Sequence, residues 1–480
     1  MNEYRLFVNG EYRVAESGEM AESLNPATGE VFAMVHQAGR ADAHRALDAA
    51  EAGFEVWRIK TAAAREAVLM KAADVMASKQ QELMDLLIDE AGSTMLKAGY
   101  EASHTPDFIR AMAGEARRVM GETFESNLPG VFSCSIRRPL GIVLAISPFN
   151  FPLLLAVRKI GWALAAGNSV VLKPSEVTPV VGLKLAEIFH EAGLPPGVLN
   201  VIPSAGADLG NTLIADKRVK LVTFTGSSKV GAIIAAEAAR HYTRCGLELG
   251  GKNPLIVLDD ADIDYAVDTA VFSNYFHQGQ VCMTGSRVIV EKGIYPLFCE
   301  KFAEKVSRLK VGDPRDPEVL IGPLIRPTQP QFVKEQLDQA VSAGAQVLTG
   351  GSFVKSFFEP TVIADVTPQM SIFRTECFAP VACVIRAADH EDALAIANDS
   401  DYGLSSAVIT NDLQKAMAIS LGIESGMCHI NGPTIRDEAV VPFGGVKNSG
   451  LGREGGRYAI EEVTEVKWVT VQQGQQVYPF

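Results

Sequence analysis

The residues of this chain best suited to covalent chemistry begin with the cysteine in VFSNYFHQGQVCMTGSR, Val271 to Arg287. A first half that could be a buried helix gives way there to Gly279, Gln280 and then Cys282, with Gly285 just beyond. That setting is polar for a thiol that merely packs. As a thiolate, cysteine is the strongest nucleophile a protein carries near neutral pH. Earlier in the chain, LELGGKNP sets Glu248 beside Gly250 and Gly251, where the backbone can pass close to another group. A carboxylate near a nucleophile can serve as a general base once its pKa is brought towards working pH. Taken alone, Glu248 reads more readily as a solvated surface charge. Cys134, Cys245, Cys299, Cys377, Cys383 and Cys428 have no such company and read as small packing hydrophobes.

Two further stretches suit a nucleotide. In FTGSSKVG, Gly226, Ser227 and Gly231 sit where an apolar run meets a helical one, so a phosphate could approach the free N–H groups and positive dipole of a helix start. The same stretch also reads as an ordinary strand-to-helix turn. In VVLKPSE, Lys173, Ser175 and Glu176 follow another apolar run, a cation and a carboxylate three residues apart that could hold ribose hydroxyls. No GxGxxG follows any expected strand, so the usual dinucleotide fingerprint is missing.

The elements that must position these residues show in the pattern from Gly141 onward. Short apolar runs (GIVLAIS, NSVVLK, GVLNVIP, VKLVTFT) alternate with helical segments (RKIGWALAAG, VGLKLAEIFHEAG, KVGAIIAAEAARH). Such alternation predicts βαβ units and a parallel sheet, with ligands at the carboxyl ends of its strands. Before it, Leu69, Ala72, Ala73 and Met76 keep one helical face, which Leu83, Leu86 and Leu87 continue to a stop at Gly92. Asn9-Gly10 between alternating apolar residues reads as a hairpin turn. The stretch GIVLAISPFNFPLLLAV, interrupted by Pro148, Asn150 and Pro152, reads as strand, turn and helix start rather than a membrane span.

With 480 residues the chain exceeds the roughly 250–300 at which one core stops growing, so two or more domains are expected. A net charge of −13 with no basic cluster disfavours nucleic acid and membrane surfaces as partners. The charged N-terminus lacks a signal-peptide core, and seven cysteines without metal-type spacing read as free thiols in a reducing, cytoplasmic setting with no metal site.

Six motifs in order, SPFNFP, KPSE, FTGSSKVG, LELGGKNP, GQVCMTGSR and ECFAPV, together with NPATGE near the start and PFGGVKNSGLGREGG near the end, make the sequence resemble an aldehyde dehydrogenase over its whole length. The resemblance implies that Cys282 attacks the aldehyde carbon, that the Asn150 amide stabilises the oxyanion, that Glu248 activates the water that hydrolyses the thioester, and that Lys159 tunes or relays its proton. It implies an NAD cofactor, with NADP possible, held by Ser147, Lys173, Ser175, Glu176, Gly206, Gly210, Phe224, Gly226, Ser227, Val230, Gly231 and Leu249, with Glu376 and Phe378 at the nicotinamide end. Glu176 would accept from a 2′-hydroxyl and repel a 2′-phosphate, which favours NAD. Ala379 after Phe378 and Phe149 before Asn150 depart from the commoner pattern.

HINGPTIRDEAVVPFGG, the ending QVYPF and the phenylalanines of SPFNFP are similar to the branch acting on benzaldehyde, salicylaldehyde and vanillin, so an aromatic aldehyde is expected, in an apolar slot formed by Phe149, Phe151, Val281, Met283 and Ile435. An aliphatic aldehyde or semialdehyde handled by the same chemistry is the alternative. Two others are a coenzyme-A-dependent acylating relative, which would not need Glu248, and a cysteine hydrolase pairing Cys282 with His277. The resemblance implies an α/β fold with a Rossmann-like cofactor domain over residues 1–120 and 140–250, a catalytic domain over 251–447, and a small β arm, 121–139 plus 460–480, expected to pair copies of the chain into a homodimer or a dimer of dimers.

Overall fold

Five parallel strands lie in the first half, Ile142–Ile146, Ser169–Lys173, Leu199–Val201, Val219–Thr225 and Arg244–Glu248, the first two of them near-continuous runs of Val, Leu and Ile, in a computed structural model that describes residues 2–480. Such runs suit strands covered on both faces. Their spatial order places Ile142–Ile146 centrally, with Ser169–Lys173 and Leu199–Val201 to one side and Val219–Thr225 and Arg244–Glu248 to the other. The chain therefore reverses its direction of winding between Ile142–Ile146 and Val219–Thr225, the kind of crevice where open α/β sheets bind ligands. The sheet is completed to eight strands by Gly450–Leu451, antiparallel to Leu247–Glu248, and by the hairpin Leu6–Val8 and Glu11–Arg13. Asn9 and Gly10 make its turn with φ of 57° and 80°, the left-handed pair that matches strand twist.

A second sheet of seven strands holds Pro254–Val257, Arg287–Glu291, Val381–Ala387 and Ala407–Ile409 at its centre, all parallel, with Gln346–Thr349 as the antiparallel edge. A third sheet stands apart: Thr464–Gln472 pairs over nine residues with Val131–Pro139, which pairs in turn with Thr123–Phe124. Among the described residues no helix is long and apolar enough to cross a membrane.

One expectation needs correction. The apolar face expected as one helix up to Gly92 is two helices, Ala62–Ser78 and Gln80–Ala91, broken at Lys79, whose backbone leaves the helical conformation at φ −101° and ψ 16° while Leu69, Leu83, Leu86 and Leu87 of both segments pack into one core. Gly92 does end the second, in the left-handed conformation at φ 62°. The strand Thr464–Gln472 of the third sheet is preceded by the helix Gly456–Glu462, whose Ala459 and Ile460 are buried in the main core.

Candidate active site

Cys282 lies in the loop between the helix Ile263–Tyr275 and the strand Arg287–Glu291. The helix ends abruptly: His277, Gln278 and Gly279 are consecutively left-handed, with φ of 51°, 56° and 69°. Non-glycine residues hold that conformation only where surroundings over-determine it. Here the Gln278 amide donates to the carbonyls of Gly92 and Pro323, at 3.0 and 3.1 Å. On the far side of the loop, Asn253 Nδ2 donates to the carbonyls of Cys282 and Thr284, at 2.8 and 2.9 Å. Asn150 Nδ2 donates to the Gln280 carbonyl at 2.9 Å, so its amide is fixed beside the cysteine with a second N–H still to give. Burial raises the Cys282 thiol far above its ordinary pKa, helped by the carboxylates of Glu248, Glu376 and Asp437, while its own backbone N–H favours the thiolate.

Glu248 ends its strand buried, with Oε2 lacking any hydrogen-bond partner. Burial first and the charge of Glu454 second hold its carboxyl well above the usual range, against the opposite pull of Lys159 and Arg158. Arg158 and Lys159 are consecutive cations on the wholly buried helix Leu154–Ala166. Lys159 is ion-paired to Glu454, which also accepts from Thr223 Oγ1 at 3.3 Å. Arg158 makes a two-pronged pair with Asp437, both bonds 2.9 Å. Glu248, Lys159, Thr223 and Glu454 line a cavity of about 30 Å³, room for a water molecule.

Cys282 and Asn150 open onto a second cavity, of about 190 Å³. Phe151, Val281, Met283 and Ile435, expected as the apolar slot, line it. Phe149 does not: its ring meets that of Phe378 edge-on at 5.7 Å and lies beneath the Arg326 guanidinium, outside this cavity. The sequence reading missed Tyr100, Phe272, Phe276 and Phe443, which supply the rest of the aromatic wall. Phe272 and Phe276 stack at 5.2 Å, and Tyr100 meets Phe276 edge-on at 5.9 Å. His277 is buried with neither ring nitrogen hydrogen-bonded, so it forms no nucleophile–base pair with Cys282.

The residues expected to hold a dinucleotide lie along the carboxyl edge of the first sheet, at the ends of adjacent strands: Glu248 and Leu249, then Gly226 and Ser227, then Ser147, then Lys173 to Glu176, then Gly206. Ser227 caps the helix Ser228–Arg240 by accepting from Val230 N–H. A Cβ at Gly231 would come within 2.5 Å of the Leu249 side chain, so glycine lets this helix sit close to the strand end without displacing Leu249. Phe224 lies under the turn at Gly226, and Gly206 and Gly210 belong to the start of the helix Ala207–Ala215. Opposite, Glu376 Oε1 accepts from Gly251 N–H at 3.1 Å, and a Cβ at Gly250 would be 2.5 Å from its Oε2. Burial pushes the Glu376 carboxyl up to about 7. Phe378 beside it is left-handed at φ 48°. A cradle of glycines, a capped helix start and carboxylates at both ends fit a nicotinamide dinucleotide.

The model of the aldehyde dehydrogenase family matches residues 12–469. The chain belongs to that family. Vanillin dehydrogenase of Pseudomonas fluorescens is 42% identical over 99% of both chains, and a glutarate-semialdehyde dehydrogenase of Pseudomonas putida is 39% identical over 97% of both. The crystal structure of a salicylaldehyde dehydrogenase from Pseudomonas putida G7, complexed with salicylaldehyde, superposes with a TM-score of 0.98 at 39% identity, covering all of both chains. This aldehyde dehydrogenase is accordingly an α/β, NAD(P)-dependent oxidoreductase acting on the aldehyde group. Its motifs single out Cys282, Glu248 and Asn150 more readily than Arg158, Asp437 and Glu454. The available signal was weak: two adjacent cations inside LLLAVRKIGWALAA, and an acid among the glycines of GREGG.

Proposed function

We propose that this aldehyde dehydrogenase oxidises an aromatic aldehyde to its carboxylic acid. The observation that carries the reading is Cys282 opening onto an aromatic-walled cavity of about 190 Å³, larger than the roughly 150 Å³ that accommodates a benzene ring. In this reading the Cys282 thiolate adds to the aldehyde carbon, and the oxyanion receives the free N–H of Asn150 and the Cys282 backbone N–H. Loss of one such donor typically costs about 10²–10³ in rate. The bound nicotinamide supplies the hydride acceptor, and Cys282 is left as a thioester. Glu248 takes a proton from the water that attacks it, using the oxygen that has no partner of its own. Lys159 and Glu454, around the small water-sized cavity, give that proton a route onward.

Lys173 and Glu176 hold the adenosine ribose, Gly226, Ser227 and Gly231 the pyrophosphate, and Glu376 and Phe378 the nicotinamide end. The first sheet and the second form the cofactor and catalytic domains, with the arm sheet as the self-association element of a dimer or a dimer of dimers. The seven cysteines, all free, suit a reducing cytoplasm.

The test is the appearance of reduced cofactor at saturating NAD, comparing kcat/KM for benzaldehyde, vanillin, salicylaldehyde, glutarate semialdehyde and short aliphatic aldehydes. An aromatic aldehyde should exceed the others by tenfold or more. A higher value for the semialdehyde would overturn the aromatic reading and direct attention to Arg436, a cation in the cavity wall.

A further inference from the structure

Arg326 is used by none of the steps above, yet it spans the two halves of the expected cofactor track. Its guanidinium donates to Glu176 Oε1 at 2.7 Å, across 150 residues of sequence, and lies over the Phe149 ring at 5.3 Å from its centroid. It thus touches the carboxylate at the adenosine ribose and the ring that abuts Phe378. The backbone that carries it is anchored to the cysteine loop: Ile325 N–H donates to Gln280 Oε1 at 3.1 Å, and the Pro323 carbonyl accepts from Gln278. Arg326 itself remains 46% exposed and Glu176 39%, so the pair sits at a solvent-reachable mouth.

A lone Glu176 would accept from a 2′-hydroxyl and repel a 2′-phosphate. It is not alone. Lys173, which makes no ion pair among the described residues, and Arg326 together leave this corner with one net positive charge. The guanidinium carries five N–H donors in a fork that matches phosphate oxygens, and Glu176 engages one of them. A 2′-phosphate can take the place of the Glu176 carboxylate on that fork, whereas a 2′-hydroxyl can donate to Glu176 with the arginine still in place.

We propose that Arg326 is a cofactor-specificity residue that lets the adenosine-ribose corner accept a 2′-phosphate as well as a 2′-hydroxyl, so that the protein uses NADP alongside NAD. This rests on the reading that Lys173 and Glu176 hold the adenosine ribose. The experiment measures binding without aldehyde, on the full-length protein: NADH and NADPH by nicotinamide fluorescence, and 2′-AMP against 5′-AMP by calorimetry. It compares the parent with Arg326→Ala, Arg326→Lys and Glu176→Gln.

Because the bond at stake is charge-assisted, Arg326→Ala should weaken NADPH and 2′-AMP roughly tenfold or more. NADH and 5′-AMP should change less than about threefold, since they do not need the fork. Arg326→Lys should regain part of the loss, keeping the charge without the fork. Glu176→Gln should weaken NADH and strengthen NADPH. Equal losses for both cofactors in Arg326→Ala, or no loss for NADPH, would overturn the proposal while a Glu176→Gln effect left the ribose reading standing. No effect of Glu176→Gln on either cofactor would overturn the ribose reading itself.

Discussion

At the scale of residues, chemistry divides between groups that announce themselves in the sequence and groups that do not. Cys282, Glu248 and Asn150 sit in short stretches whose neighbours are glycine, proline or amide, so their peculiarity is local and readable. Glu454 and Asp437 matter because they face Lys159 and Arg158 from nearly three hundred residues away, and nothing local betrays such a partnership. Arg326 is hidden for the same reason. The proposed roles have separate kinetic signatures. Cys282→Ala should abolish both hydride transfer and turnover. Glu248→Gln should give a burst of reduced cofactor equal to the enzyme concentration and then stall, because acylation survives and deacylation loses its base. Full steady-state turnover in Glu248→Gln would assign the base elsewhere. The pH profile follows from the same burial. Glu248 is raised above the carboxylate range, so its basic form, and with it kcat for deacylation, should fall as pH drops through that raised value and recover as pH rises. A kcat already on its plateau at pH 5 would contradict this.

At the scale of elements, the helix Leu154–Ala166 shows how position is enforced. Its Arg158 and Lys159 point where they do because the helix start is clamped: the N–H groups of Leu153 and Leu154 both donate to Glu101 Oε1 at 2.9 Å. Glu101 is in turn ion-paired with Lys97, and both side chains are fully buried. Hydrophobic periodicity foretells that such a helix exists, as the run from Leu153 to Ala166 does here, but it cannot name a buried carboxylate from another helix as its cap. Periodicity failed in a related way at Lys79, where one continuous apolar face is divided between two helices. Glu101→Gln should leave the Lys97 ammonium buried without its counter-charge, at a cost of about 3–5 kcal/mol. Denaturant or thermal unfolding should register that loss, with activity falling as the helix start loosens. The double variant Lys97→Met with Glu101→Gln should recover most of the stability, since removing both charges leaves none uncompensated. A single variant as stable as the parent would show that the pair is not the clamp.

At the scale of the whole molecule, the alternation of apolar runs and helical segments was enough to anticipate the first parallel sheet and the edge along which its motifs line up. It did not reveal that Gly450–Leu451 returns to pair beside Glu248, since a two-residue strand has no periodicity to read. The arm sheet raises the last question of scale. Thr464–Gln472 is nine residues long and hydrogen-bonded along one edge only, with Val466, Trp468 and Val471 all more than half exposed. A long edge strand of this kind invites uncontrolled pairing unless something covers it. A second copy of the chain is the occupant proposed above, and two-fold pairing is self-limiting where open-ended strand addition is not. Light scattering should therefore give at least twice the chain mass of 51.5 kDa. Trp468→Lys combined with Val466→Glu should shift the distribution towards the single chain while the edge proposed to hold the cofactor, built from a different sheet, still binds NADH. A parent protein that scatters as a single chain would mean that the arm is covered by something other than itself. Assembly lost together with NADH binding would mean that the two sheets are not independent in the way their hydrogen bonding suggests.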